Sequence, residues 1–77
     1  MELIKVIGAR YLSDYKIVVH FNNDKKKTID LKNELWGEVF EPLKDVEYFK
    51  RFTLNHFTIE WENGADFAPE YLYQIGK

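Results

Sequence analysis

A period of two over seven residues restricts the fold more than any other feature of this chain. Tyr15, Ile17, Val19 and Phe21 alternate with Lys16, Val18 and His20. A strand sends successive side chains to opposite faces, so the run predicts a half-buried β-strand. Asn22-Asn23-Asp24-Lys25 follows, with residues that tolerate turn and left-handed conformations, and Thr28-Ile29-Asp30-Leu31 returns on the other side. The pair predicts an antiparallel hairpin, and the rest of the chain must supply the layer that covers its apolar face.

Upstream, residues 3–9 are apolar apart from Lys5 and Gly8 and rich in β-branched side chains, which predicts a first strand buried on both faces. Leu12-Ser13-Asp14 is the expected turn into the alternating strand. Downstream, Asp30 is placed to cap a single helical turn through Leu35, with Gly37 past its end where a left-handed residue is favoured. Pro42 suits the first turn of a helix, and Leu43, Val46, Phe49 and Phe52 recur every three residues, with Glu47 and Arg51 on another face. These signals predict a helix over 42–50, too short to persist alone and held by packing its apolar stripe on the sheet.

Phe57, Ile59 and Trp61 then alternate with Thr58, Glu60 and Glu62 after a turn at Asn55-His56. Asn63-Gly64 is a strong hairpin signal because both central positions of a type I′ turn need positive φ. Such a turn would set Glu62 opposite Ala65 and Trp61 opposite Asp66. Pro69 starts a short terminal helix in which Leu72 or Tyr71 folds back on the sheet. The expected fold class is α+β in one domain spanning 1–77: a mostly antiparallel sheet of about five strands with one packed helix and a short C-terminal helix.

Composition supports a small core and narrows the function. Seventy-seven residues bury a limited share of their unfolded surface, and six Phe, five Tyr and two Trp supply the bulk that a thin core needs. The chain has no cysteine, which removes disulfides, thiolate metal sites and cysteine nucleophiles and suits a reducing cytoplasm. Met1 to Gly8 carries an acid at position 2 and a lysine within its apolar run, unlike a signal peptide, and no stretch is long and apolar enough for a membrane helix. The expected location is the cytoplasm, with no membrane partner. Eleven Lys and Arg against thirteen Asp and Glu give a net charge of −2, so the whole molecule is not drawn to nucleic acid.

Residues 61–72, Trp-Glu-Asn-Gly-Ala-Asp-Phe-Ala-Pro-Glu-Tyr-Leu, preceded by Val39-Phe40-Glu41-Pro42-Leu43-Lys44-Asp45 and Phe49, carry a family likeness. The chain resembles the small bacterial family catalogued as domain of unknown function 2442, which also opens with an apolar strand, an alternating strand and a polar hairpin ending in Asp-Leu, here Asp30-Leu31. The resemblance implies a compact α+β fold, found alone or joined to a helix-turn-helix segment, and genes that neighbour another small protein in a toxin–antitoxin-like pair. It implies no established activity. Glu62 stands where the family often has proline, and the Asn55-His56 turn is shorter than the family's glycine-rich loop. No helix-turn-helix segment lies within these residues, so a DNA-binding role of such fusions is not carried over.

The candidate chemistry is sparse. Asp66 and Glu70 lie four apart across a helix start, with Glu62 nearby, as an acid/base pair or a hard-cation site would require. Turn and cap roles explain the same spacing: Asp66 would accept backbone N–H bonds in the turn and Glu70 would complement the helix start. His20 and His56 belong to no spaced ligand motif, and Ser13, the sole serine, sits in a turn without a nucleophile elbow. The expectation is therefore no enzyme, no cofactor and no metal.

Lys25, Lys26 and Lys27, with Lys16 and Lys32, would form a basic edge able to meet phosphates, although lysines at a turn are commonly just solvated and also discourage stray strand pairing. The tyrosines and tryptophans exceed what such a core hides. Trp36, Trp61, Asp66, Glu70, Tyr71 and Tyr73 are the candidate interaction residues. A protein partner or a homodimer is the favoured reading, a nucleic-acid binder using Lys25 to Lys27 the first alternative, and an enzyme using Asp66 and Glu70 the second.

Overall fold

A computed structural model describes residues 3–77; Met1 and Glu2, the first two positions of the amino end discussed above, lie outside the described residues. The elements run β1 (Val6–Ser13), β2 (Lys16–Phe21), β3 (Lys26–Asp30), a 3₁₀ helix (Glu38–Lys44), α1 (Val46–Phe49), β4 (Thr53–Leu54), β5 (Ile59–Glu60) and α2 (Pro69–Ile75). The five strands form two antiparallel sheets, β1-β2-β3 and β4-β5, and with the short helices they make an α+β fold.

The alternating segment behaves as its pattern demands. Ile17, Val19 and Phe21 are wholly buried, and Val18 and His20 lie on the opposite, partly exposed face. The first strand does not have two buried faces. Its register against β2 slips between Val6 and Gly8 and again between Tyr11 and Ser13, so Ile7 and Leu12 are extra residues in β-bulges. Ile7 is 51% exposed while Val6 is buried. Among the described residues the sheet is covered on one face only, and a continuous apolar run cannot reveal which of its members a bulge will turn outward.

The turn into β2 is Asp14-Tyr15, one residue later than Leu12-Ser13-Asp14, and both of its residues have positive φ, 47° and 65°. A left-handed tyrosine costs about 1–2 kcal/mol. Tyr15 is held there from three sides: its ring meets Phe49 edge-on at 5.1 Å, its hydroxyl donates to the Lys44 carbonyl, and its own carbonyl accepts from Leu31 N at 3.0 Å.

The expected helix over 42–50 is two shorter pieces. The 3₁₀ helix carries Pro42 in its interior rather than at an α-helical start, and α1 begins afresh after Asp45, whose extended backbone (φ −79°, ψ 116°) breaks the run and whose Oδ1 accepts from Glu47 N at 3.0 Å. Leu43 reaches the core from the 3₁₀ helix and Phe49 from α1, while Val46 is only partly buried. The expected cap at Asp30 is a tight turn: Asp30 Oδ1 accepts from Lys32 N at 3.0 Å and Leu31 O accepts from Glu34 N at 3.0 Å. Gly37, at φ 96°, turns the chain into the 3₁₀ helix.

Near the end, Phe57 leaves the expected alternation. It is exposed in a loop where Asn55 Oδ1 accepts from Phe57 N and Thr58 N at 2.7 and 2.8 Å, and the buried Thr58 donates its hydroxyl to Phe67 O at 2.7 Å. The closing hairpin is not type I′. Gly64 has φ 89° and Asn63 is not left-handed; Gly64 N donates to Trp61 O and Trp61 N to Ala65 O, at 2.9 and 2.8 Å. This is a type I turn followed by a left-handed residue, and it pairs Glu60 with Asp66 instead of Trp61 with Asp66.

Trp61 is the centre of the interior. It is 2% exposed, its indole N–H donates to Phe49 O at 2.8 Å, and its ring meets Phe49, Phe52 and Phe67. Burying such a ring removes on the order of 150–250 Å² from water, and the hydrogen bond leaves its one polar atom satisfied.

Candidate functional site

α2 places three consecutive side chains in three environments. Leu72 enters the core, Tyr73 turns toward the β2–β3 hairpin, and Tyr71 faces a groove on the surface. Pro69 fixes the first turn of the helix. At its other end Gly76 fits where a Cβ would come within 2.5 Å of Ile29 Cδ1 and 2.8 Å of Lys27 Cβ, so α2 ends flush against β3. Lys77 then exchanges backbone hydrogen bonds with Thr28, at 3.0 and 3.1 Å.

The groove has a volume of about 430 Å³ and is lined by Glu34, Trp36, Phe40, Asp66, Phe67, Ala68 and Tyr71. Each wall comes from a different part of the sequence: the turn after β3, the 3₁₀ helix, the strand end after the closing hairpin, and α2. Phe67 forms the floor. It is nearly buried, stacks on Phe40 with ring centroids 4.9 Å apart and lies parallel to the Tyr71 ring at 6.4 Å. Trp36 is 74% exposed, on the segment between β3 and the 3₁₀ helix, and Tyr71 is 38% exposed. An exposed tryptophan beside an exposed tyrosine over a stacked aromatic floor is an anchor arrangement typical of interfaces.

Two carboxylates edge the groove. Glu34 accepts a hydrogen bond from the Tyr71 hydroxyl. That bond, with some desolvation and the carboxylate's negative charge, raises the Tyr71 phenol above its ordinary pKa near 10. The bond therefore contributes while the phenol is protonated and is lost as pH rises through that raised value. Asp66 has an exposed side chain, and among the described residues its carboxylate accepts none of the turn's hydrogen bonds. Those run through Asn63, whose Oδ1 accepts from Ala65 N at 3.1 Å and whose Nδ2 donates to Val39 O at 2.8 Å, while Tyr48 Oη accepts from Asn63 N at 3.2 Å. The turn role expected of Asp66 belongs to Asn63.

Of the six interaction candidates, the fold brings Trp36, Asp66 and Tyr71 into one groove and sends the others elsewhere. Trp61 is core. Glu70 is exposed in the first turn of α2 and does not line the groove. Tyr73 packs edge-on to Phe21 at 5.0 Å. Glu34, Phe40, Phe67 and Ala68 complete the groove without having been singled out in the sequence. Phe67 lies inside the 61–72 motif and Phe40 extends the Leu43, Val46, Phe49 spacing by one step, but nothing local ties Glu34 to Tyr71, thirty-seven positions away.

The lysine run divides. Lys27 Nζ donates to Tyr73 O at 2.8 Å and sits 3.8 Å from the centre of the Tyr73 ring, whereas Lys25 and Lys26 are exposed. Lys26 shares a shallow hollow of about 260 Å³ on the open face of the sheet with Gly8, Ala9, Arg10, Val18 and His20. His20 Nε2 lies 3.8 Å from Asp24 Oδ1, and His56 is an exposed loop residue against Phe57. Among the described residues, no three His, Asp or Glu side chains gather as a metal-binding set, and no helix is long and apolar enough to cross a membrane.

Neither a curated protein nor a solved structure matches the chain. A family model does, over residues 6–77, a span that takes in every strand and helix described above together with the groove they frame. By that match the chain belongs to the family described as protein of unknown function DUF2442.

Proposed function

We propose that the protein is a non-catalytic protein-interaction module of the cytoplasm that docks its partner in the aromatic groove, as one half of a small two-gene pair of the toxin–antitoxin kind. The observation that carries the reading is Trp36, 74% exposed beside Tyr71 at the mouth of a groove of about 430 Å³. Leaving a tryptophan in water forgoes a large share of the burial that a 77-residue core needs, so its position is best explained by a surface that becomes buried in a complex. The cytoplasm suits a chain without cysteine, and the paired-gene setting rests on the family likeness alone.

The test is affinity capture from the native host with wild-type protein, Trp36→Ala and Lys25→Ala side by side. A partner retained by wild type and Lys25→Ala but lost by Trp36→Ala is the expected result. Equal retention by Trp36→Ala would move the interface off the groove. Light scattering of the purified protein at micromolar concentration separates a homodimer from a heterologous complex.

A second reading has one observation in its favour. Arg10, His20 and Lys26 meet around the hollow on the open sheet face, a small basic surface on an otherwise acidic molecule. Binding of a phosphate backbone there would fall steeply with salt. A gel shift at low salt with duplex and single-stranded nucleic acid tests it, and Arg10→Ala with Lys26→Ala should abolish any shift that is seen.

A further inference from the structure

The groove is lined by four aromatic side chains, Trp36, Phe40, Phe67 and Tyr71, and by two carboxylates, Glu34 and Asp66; no Lys, Arg or His lines it. Aromatic faces carry partial negative charge and attract cations, most strongly where water is partly excluded. Glu34 has one oxygen engaged by the Tyr71 hydroxyl and retains acceptor capacity on the other, and a carboxylate offers about four lone-pair sites. Asp66 offers its whole carboxylate. The nearest lysines in sequence have acidic neighbours of their own, Lys44 with Glu41 at 3.0 Å and Lys32 with Asp14 at 3.7 Å. The groove is thus electrostatically complementary to a cation with an apolar or planar body, and its volume of about 430 Å³ has room for one.

Resting on the reading of the groove as the docking surface, we propose that its occupant is an arginine side chain presented by a basic segment of the partner protein. Arginine fits better than lysine on chemistry. Its guanidinium is planar and weakly hydrated, stacks on aromatic rings, and offers two parallel N–H donors to a carboxylate, whereas an ammonium is a compact and strongly hydrated point charge. A guanidinium lying between the Trp36 indole and the Phe67–Tyr71 pair would present its N–H edge toward Asp66 and the free oxygen of Glu34. The exposed Trp36, on a segment outside the regular elements and next to Gly37, supplies the ring that covers it.

The experiment is an NMR titration of the ¹⁵N-labelled full chain with N-acetyl-arginine amide, run in parallel with the lysine and citrulline amides. Citrulline keeps the shape and planarity of arginine and lacks its charge. The expected result is saturable movement of the Trp36 indole and the Phe67 and Tyr71 amides with arginine, with lysine weaker and citrulline weaker by about tenfold or more, as befits loss of charge-assisted bonds. Glu34→Gln combined with Asp66→Asn should lower the arginine affinity by about tenfold while the spectrum remains that of a folded protein, because both side chains lie at the rim.

Citrulline binding as tightly as arginine would overturn the proposal and leave the groove as an apolar docking site. The absence of any groove shift up to the solubility of the arginine probe, or shifts that survive Trp36→Ala, would also overturn it. The docking reading itself fails on a different measurement, retention of the captured partner by Trp36→Ala, so the two failures are distinguishable.

Discussion

Two turns in this molecule have one geometry and different chemistry. In the first, Phe21 N donates to Lys25 O and Asp24 N to Phe21 O; in the second, Trp61 N donates to Ala65 O and Gly64 N to Trp61 O, all between 2.8 and 3.0 Å. Each has an asparagine at the third position whose Oδ1 accepts from the residue two further on, Asn23 from Lys25 and Asn63 from Ala65, both at 3.1 Å. Each places the fourth residue in the left-handed region, Asp24 at φ 68° and Gly64 at φ 89°. The repeated asparagine shows what this turn requires. The exchange of Asp for Gly shows that the left-handed position can be filled by either residue that tolerates it.

They differ in what they fasten. Both outer bonds are exposed, but Asn63 Nδ2 donates to the Val39 carbonyl at 2.8 Å, joining the closing hairpin to the 3₁₀ helix, whereas Asn23 Nδ2 makes a longer bond of 3.2 Å to the terminal hydroxyl of Tyr73 on α2. The largest effect should therefore come from Asn63→Ala, which removes two side-chain hydrogen bonds worth about 1 kcal/mol each, or roughly 2 kcal/mol of unfolding free energy in urea. Asn23→Ala should cost about half as much. Equal losses would mean that the link to Val39 contributes nothing and that the turns are equivalent.

Next in size is Gly64→Ala, expected to cost about 1 kcal/mol, a fall of roughly 4–8 °C in Tm for a domain of this size. No atom lies within 4 Å of the added Cβ, so the cost is conformational and not steric. Gly64→Asp, which copies the first turn's residue, should cost less than Gly64→Ala. The converse change, Asp24→Gly, is expected to stabilise by about 0.5 kcal/mol, part of the relief being offset by the freer unfolded chain. Smallest is Asp66→Asn, expected within about 0.5 kcal/mol of wild type because the turn's bonds run through Asn63; a larger loss in chemical denaturation would return Asp66 to the clasp and weaken its assignment to the groove.

The Asn63-Gly64 pair was legible as a hairpin turn, and its type was not, because type I′ and the three-residue loop both place glycine in a left-handed conformation. One residue of difference moved the partner of Asp66 from Trp61 to Glu60. Period two in β2 could be read directly, since only strand geometry produces it. Period three in the 42–50 segment did not separate one continuous α-helix from the 3₁₀ helix and four-residue α-helix that the chain forms, and Asp45, an N-cap residue in the middle of the run, was the available signal for the break. Three of the seven residues that line the groove could be read, Trp36, Asp66 and Tyr71. Exposed aromatics are expected when a small chain has too many of them, but which ones share a wall depends on contacts such as Tyr71 with Glu34, which no local pattern encodes.

The seven residues of α2 are too few to persist as a helix on their own, so the element exists only while docked. Its attachments join positions 46 and 50 apart, Lys27 with Tyr73 and Asn23 with Tyr73, and the Thr28–Lys77 backbone pair lies just beyond its end. Such an element opens as a unit, and when it does, the Tyr71 wall of the groove and the hold on the β2–β3 hairpin go together. A ligand that grips Tyr71 therefore stabilises the closed form by a factor of one plus its concentration over Kd. Amide hydrogen exchange at Thr28, whose N–H donates to Lys77 O, would slow by that factor where it proceeds through opening of α2, so occupancy of the groove can be timed from the other end of the helix.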